Sequence, residues 1–384
     1  MVDKLHLRAW WAARQGLDGS LQGSTVEEVF LGAGWSRSVG GCCPYLTAFA
    51  RSGASREEVD DALSNSKIQE LPSARGCTYI LPSHHYPLGL RVGQGHGEAS
   101  SIRMAKKFLG VTDLEIDTLC AAILTALRGA PLHPGQLKVA IGGAVRDLGA
   151  EGKRRGQTTT LSLGLGKLQS EGKIRRIPVG GRIDQQRFSY ALWDQIVDDS
   201  AEPFAKLAEL FFTWIGPAHV REFQWFSGLG VATSRAAISE LDLVDIGRGL
   251  LLPKGLTEEF FAFKVPIQPD VRLLSLLDSL FLLKRTFETL IDDPDIGNKI
   301  GGRGLSDLEY NVITDRGTIV GVWEYEQRSA QIAYHVFGPV ESAHKEAVHR
   351  TEDYVRDQLG DARCYSLDSP ESRQPKIEQI RAWN

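Results

Sequence analysis

Eleven basic side chains lie between Pro131 and Ala191: Lys138, Arg146, Lys153, Arg154, Arg155, Lys167, Lys173, Arg175, Arg176, Arg182 and Arg187. Only four acids accompany them, Asp147, Glu151, Glu171 and Asp184, so this stretch carries a net +7 while the whole chain carries −4 and the rest of it −11. The chemistry such side chains do is neutralisation of phosphate, with release of the counterions that surround a nucleic acid. One basic face on an acidic body is the footprint of a protein that meets nucleic acid at one surface. A well-solvated charged face is the reading that charge alone leaves open.

Other chemistries find little support. Gly164-Leu165-Gly166-Lys167 is followed by Leu168 rather than Ser or Thr and lacks the first glycine of a phosphate loop, and Gly32-Ala33-Gly34 lacks the third glycine of a dinucleotide fingerprint. The five cysteines, Cys42, Cys43, Cys77, Cys120 and Cys364, show no Cys-x-x-Cys spacing, so no zinc site is expected; they read as reduced thiols, and no base can be identified for a nucleophile at Cys42 or Cys43. His84-His85, His344 and His349 read as surface residues. No cofactor is expected.

The elements that would carry the basic residues follow from periodicity. Leu119, Ile123 and Leu127 mark one face of a helix over Ile116–Arg128; a second is expected over Gln136–Leu148. A third, with Leu161, Leu165 and Leu168 on one face, is expected after the capping residues Gln157-Thr158-Thr159, although Gly164 and Gly166 weaken it or signal a close backbone approach. Lys173–Ile177 and Gln186–Leu192, joined through Val179-Gly180-Gly181, read as a two-stranded ribbon. Helix, helix, helix, ribbon is the order of a winged helix-turn-helix, in which the third helix enters the DNA major groove and the ribbon follows the backbone. Lys153, Arg154 and Arg155 fall on the approach to that helix, Lys167 within it, and Lys173, Arg175, Arg176, Arg182 and Arg187 on the ribbon. These nine are the expected DNA contacts.

The same order recurs over Glu202–Leu252, where Thr233 or Ser234 would cap the third helix, and more faintly over Leu5–Leu81. From Val265 the pattern changes: an apolar helical stretch, Leu273–Leu283, precedes strands at Tyr310–Thr314, Thr318–Trp323 and Ala330–Phe337, with Asp315-Arg316-Gly317 as a hairpin turn. A helix over Glu341–Leu359 and a polar, mobile tail after Asp368 close the chain. The expected fold class is α+β, tandem winged helices followed by a small β-rich domain, with divisions at 1–90, 112–195, 200–257 and 265–384. With 384 residues, 42% of them hydrophobic, there is material for several cores. No 18-residue apolar run or signal peptide is present, so a cytoplasmic protein without membrane contact is expected. Trp10, Trp11 and Trp35 could be core or a base-stacking wedge.

Several stretches, in order, resemble a known family. Leu7–Leu17 (LRAWWAARQGL), Gly34–Arg51 (GWSRSVGGCCPYLTAFAR), Leu71–Leu81 with Arg75-Gly76-Cys77-Thr78-Tyr79, Gly216-Pro217-Ala218 through Phe223, Trp225 and Ser227-Gly228-Leu229, then Val271–Leu274, Asp278–Leu282 and Gly321-Val322-Trp323 are similar to the winged-helix DNA glycosylases of the AlkZ/YcaQ type. The resemblance spans nearly the full length. It implies three tandem winged helices and a β-rich domain around a DNA channel, and excision of N-alkylated purines, including those in interstrand crosslinks. Alkylation makes the base a cationic leaving group, so the enzyme need only stabilise an oxocarbenium-like sugar and orient a water.

In that family a Gln-aliphatic-Gln or Gln-x-Asp motif in the first winged helix does this. Anchored on Pro44-Tyr45 and Arg51, the motif falls here at Arg37-Ser38-Val39, with no Gln or Asp within two positions. The family's Arg-Gly-Thr-x-His becomes Arg75-Gly76-Cys77-Thr78-Tyr79, without the histidine. Arg37, Ser38 and Asp18 are the remaining catalytic candidates, although a cation at Arg37 would oppose a developing oxocarbenium. Three readings follow: a DNA-binding relative whose excision is lost or rebuilt on other residues, an active glycosylase with a changed motif, and a transcriptional regulator or protein-interaction scaffold that reuses the modules, of which a regulator would normally dimerise on a two-fold site. The expected partner is double-stranded DNA, alkylated or crosslinked, met by a monomer.

Overall fold

A computed structural model describes residues 2–185, 187–285, 287–301 and 308–383. The first helix, Lys4–Arg14, starts where the Asp3 carboxylate accepts from the His6 amide. Trp10 and Trp11 face inward, 1% and 3% exposed, which settles them as core. Their indole N–H groups donate to the carbonyls of Gly216 and Pro217 at 2.7 and 2.9 Å, and the Trp214 indole donates to Leu31 O at 2.8 Å. Burying a large ring while satisfying its one donor joins chain segments 200 residues apart.

Helices Val26–Gly32 and Arg56–Ser64 each begin with a capping box, Thr25 with Glu28 and Ser55 with Glu58. Between them, Cys43–Ser52 is buried along most of its length. Strands Ile68–Pro72 and Thr78–Pro82 pair antiparallel, and the two-residue strand Ser36–Arg37 adds to the outer side of Thr78–Pro82. A four-stranded antiparallel sheet forms from the far end of the chain in the order Gln331–Val336, Thr318–Glu326, Asn311–Asp315, Val271–Leu274. Its residues and those of the N-terminal segment fill the same cores: Trp35, Leu81, Trp214, Phe226 and Leu283 belong to one, Phe30, Tyr45, Ile80, Trp323 and Val355 to another.

The middle of the chain is different. Helices Asp113–Ala126, Pro134–Ile141, Gly149–Arg154 and Leu161–Ser170, with ribbon Ile174–Pro178 and Phe188–Leu192, surround a core drawn from Ala105 to Tyr190 alone. The second helix expected here is shorter than the spacing suggested, because Gly142 takes a φ of +48° and ends it at Ile141. Leu161–Ser170 buries Leu161, Leu163, Leu165 and Leu168 together with Gly164, Gln169 and Ser170, leaving Ser162 as its one exposed residue. Its exposure is confined to Ser162, with Gly166 and Lys167 half-buried. Gly164 marks the close approach: a Cβ there would come within 2.9 Å of both Ile123 Cδ1 and Leu119 Cδ2.

Three further expectations change. The apolar run Leu273–Leu283 is a strand, Val271–Leu274, then a short helix, Ser279–Leu283, begun by the Asp278 carboxylate; a short apolar run has no period to separate the two. The helix expected to be capped by Thr233 or Ser234 begins earlier, at Val231 after Gly230. The tail after Asp368 is ordered: Ser369 caps helix Pro370–Ala382, whose Ile377 and Ile380 are buried against the C-terminal sheet, while Arg373 pairs with Glu324 at 3.4 Å and with Asp361.

Two predictions follow from these buried charges. Arg51 and Asp278, 0% and 1% exposed, pair at 2.8 Å, so Asp278→Ala leaves a buried guanidinium unpaired and should cost about 3–5 kcal/mol in a denaturant titration. Burial raises the Glu324 carboxyl from 4.5 to about 7, against the opposing pull of Arg373. The folded chain then holds a proton that the unfolded chain has released, so stability should fall as pH rises from 4.5 to 7 and level off above. In Glu324→Gln that slope should be absent.

Candidate nucleic-acid interface and reaction site

Ser38 follows the short strand Ser36–Arg37. Its amide donates to Thr78 O at 3.0 Å, and its hydroxyl donates to Glu70 Oε1 at 2.6 Å. Ser38 and Glu70 are 2% and 3% exposed. The second oxygen of Glu70 accepts from Arg176 Nη1 at 3.4 Å, so the carboxylate lies between a hydroxyl and a guanidinium from the ribbon of the middle unit. Burial works against the charge on Arg176, but Glu70 and Tyr190 together outweigh it, and its pKa is raised. Arg176 Nε is buried without a hydrogen-bond partner. Next to this pair Gln69 joins the same two segments twice, donating to Arg176 O at 3.0 Å and accepting from Arg175 Nη1 at 3.1 Å.

Arg176 also lines an open groove of about 600 Å³ with His133, Pro134, Val179, Arg187, Phe188 and Tyr190. Its guanidinium lies 5.3 Å from the centre of the Phe188 ring. Thus one side chain borders both a buried carboxylate and an aromatic, cationic groove. Arg37, half-buried, points over the Tyr79 ring at 5.4 Å. Burial raises the Tyr79 phenol, against the cations of Arg37 and Arg75.

A family model for the AlkZ-like DNA glycosylases matches residues 43–358. The chain belongs to that family. Among solved structures, the DNA glycosylase AlkZ of Streptomyces sahachiroi superposes with a TM-score of 0.71 over 95% of this chain and 98% of that one. At 20% identity this likeness speaks to the fold. No curated protein sequence matches. Mixed helices and small sheets in this arrangement are therefore the AlkZ architecture, DNA is the partner the family implies, and no described helix is long and apolar enough to cross a membrane.

Within this glycosylase-family chain the basic residues divide into two groups. Lys153, Arg154, Arg155, Lys173 and Arg187 are exposed. Arg154 and Arg155 share Glu151, and Arg155 also lies 4.0 Å over the half-exposed Phe108. Lys173 Nζ meets the exposed Asp194 at 3.3 Å. The others serve internal contacts. Lys167 pairs with Glu171, Arg182 with Asp184 and with Leu359 O at 2.9 Å, and Arg175 and Arg176 hold the ribbon to Gln69 and Glu70. Burial lowers the Arg175 pKa, against the opposing influence of Tyr86.

Of the catalytic candidates, Arg37 and Ser38 adjoin each other. Asp18 is exposed, accepts from the Ser20 amide and hydroxyl at 3.1 and 2.6 Å, and its charge is felt at Asp270. Glu70 and Gln69 were missed by sequence reasoning. Their signal was a Gln-Glu pair inside an otherwise apolar strand, where a charged residue survives only with buried partners.

The division of cations predicts a division of effects. Replacing Lys153, Arg154 and Arg155 together with Ala should leave the melting temperature within about 2 °C while lowering the salt slope of duplex binding by about one log–log unit per lost phosphate contact. Replacing Arg175 and Arg176 should lower the melting temperature first. Calorimetry beside fluorescence anisotropy separates the two.

Proposed function

We propose that this chain binds double-stranded DNA and hydrolyses the N-glycosidic bond of N-alkylated, cationic purines, with Ser38 and Glu70 standing where other family members place their glutamine pair. The observation that carries this reading is the 2.6 Å hydrogen bond from Ser38 to a carboxylate buried beside the groove. Family membership supplies the reaction class.

The chemistry is balanced with these groups alone. The bond from C1′ to the ring nitrogen breaks, its electron pair neutralising the alkylated base. Water oxygen then adds to the oxocarbenium carbon while one of its protons passes to Ser38 Oγ, whose own proton moves to Glu70. A carboxylate in a low-dielectric setting also stabilises the cationic sugar without touching it. Arg176 pairs with Glu70 at 3.4 Å, and its position on the groove wall links that pair to the occupant of the groove. Duplex docking falls to the exposed cations Lys153, Arg154, Arg155, Lys173 and Arg187, on the winged-helix-like unit spanning 112–195. Docking on that unit uses its ribbon and its Pro134–Ile141 and Gly149–Arg154 helices.

The test is excision from a duplex carrying N7-methylguanine, with abasic sites revealed by alkali. The wild type should cleave above the spontaneous rate. Glu70→Gln and Ser38→Ala should each lose about 10²-fold or more in rate while retaining duplex affinity. Full activity in both variants would exclude this pair as the reacting groups. A wild type that binds but never cleaves any alkylated duplex would leave a DNA-binding relative without excision.

A further inference from the structure

Ahead of the basic run at 131–191, helix Gly97–Leu109 carries cations of its own, Arg103, Lys106 and Lys107, against the single acid Glu98. It belongs to the middle unit: Ala105 is fully buried in that core, and a Cβ at Gly166 of helix Leu161–Ser170 would lie 3.4 Å from Glu98 Cβ. With Ala105 turned inward, Ser100, Arg103 and Lys107, at helical spacings of three and four, form an exposed stripe on the opposite side. Glu98 accepts from the Gly95 amide at 3.0 Å, Asp113 pairs with Lys106 at 2.6 Å, and Glu151 is shared by Arg154 and Arg155. Among the described residues Arg103, Lys107 and Lys153 have no ion pair.

Like charges four residues apart on one helix repel, so Arg103 and Lys107 destabilise the free chain slightly and gain from a bound anion. The stripe also adjoins the exposed cations at 153–155. Phe108, 47% exposed, lies with its ring centre 5.0 Å from Lys107 Nζ and 4.0 Å from the Arg155 guanidinium carbon. One ring therefore joins the end of helix Gly97–Leu109 to the end of helix Gly149–Arg154. A small ion would answer one of these charges. A nucleic-acid backbone, with its regular series of phosphates, answers cations on both helices at once.

We propose that Arg103 and Lys107 extend the duplex-docking surface of the middle unit onto helix Gly97–Leu109, where they contact backbone phosphates beside those met by Lys153, Arg154 and Arg155. The proposal rests on the DNA-binding reading above. Contacts of this kind are independent of sequence and hold the duplex in place on the protein.

The test uses full-length protein, an undamaged 20-mer duplex and anisotropy over a KCl series. Arg103→Ala and Lys107→Ala should each lower the log–log salt slope by about 0.9, with about a fivefold loss of affinity at 0.1 M salt; the double variant should lose about twice the slope. Arg103→Lys, which keeps the charge, should keep the slope. Combined with the triple Ala variant at 153–155, the double variant should lower the slope further, because each phosphate contact releases its own counterions. The melting temperature of the double variant should equal or exceed that of the wild type, since a repulsion has been removed. A wild-type slope and affinity in the double variant would overturn the extended surface while leaving the cations at 153–187 as the docking site. A lowered melting temperature with an unchanged slope would overturn it in favour of a structural role for the two cations. A wild type that binds no duplex would overturn the DNA-binding reading together with it.

Discussion

The guanidinium of Arg51 is the point from which the arrangement of this chain can be rebuilt. It is fully buried, and its donors reach Gln15 O at 2.8 Å, Thr47 O at 3.2 Å, both Asp278 oxygens at 2.8 Å and Ser279 Oγ at 3.0 Å. A buried cation tolerates no loose end, because each unsatisfied donor costs as much as a lost hydrogen bond or more. Those demands place the turn after the first helix, the Cys43–Ser52 helix and the Asp278-Ser279 corner within one another's reach. Asp278 in turn starts helix Ser279–Leu283 and accepts from Thr47 at 3.3 Å. Residues near both ends of the chain are thereby committed to one body.

That commitment sets the position of Ser38. The strand Ser36–Arg37 is only two residues long and could not hold itself on a sheet; Trp35 before it is buried in the large core, and Gly40 after it is paired with Tyr365. Trp35 donates to His85 Nδ1 at 3.1 Å, and burial lowers that histidine to about 4, so it accepts as the neutral ring at physiological pH. A rigid frame on both sides fixes the short strand and with it the Ser38 hydroxyl. The middle unit, with its own core, meets this frame through Gln69, Glu70, Arg175 and Arg176. The same contacts that attach the ribbon therefore set the charge around Glu70.

How much of this was legible in the sequence depends on range. Local signals were strong: Thr25 with Glu28, Ser55 with Glu58, the Asp315-Arg316-Gly317 turn and the leucines of Asp113–Ala126 each determine an element within a few residues. The family was legible too, because stretches such as LRAWWAARQGL carry the indoles that bind Gly216 and Pro217. What could not be read was pairing at long range. Arg175 and Arg176 look like phosphate contacts in a basic run, and only the folded chain shows their carbonyl, amide and carboxylate partners over 100 positions away. Leu161–Ser170 has an apolar stripe that fits a half-exposed helix; Gly164 lets a second helix close over it.

The same limit explains why the candidate site looked empty in the sequence. A motif is a set of residue types at fixed spacing, whereas stabilising a cationic sugar requires only negative charge and an acceptor at a place in space. Glu70 lies 32 positions from Ser38 along the chain, on the far side of the hairpin strand Thr78–Pro82, yet its carboxylate reaches the serine hydroxyl. The frame rests on Arg51, Asp278 and the indoles, none of which lines the groove, so a motif beside Ser36–Arg37 can change without disturbing it. In this chain the residues that hold the frame differ from those of the candidate site, so a changed motif on an unchanged fold relocates the search for reacting groups and does not end it.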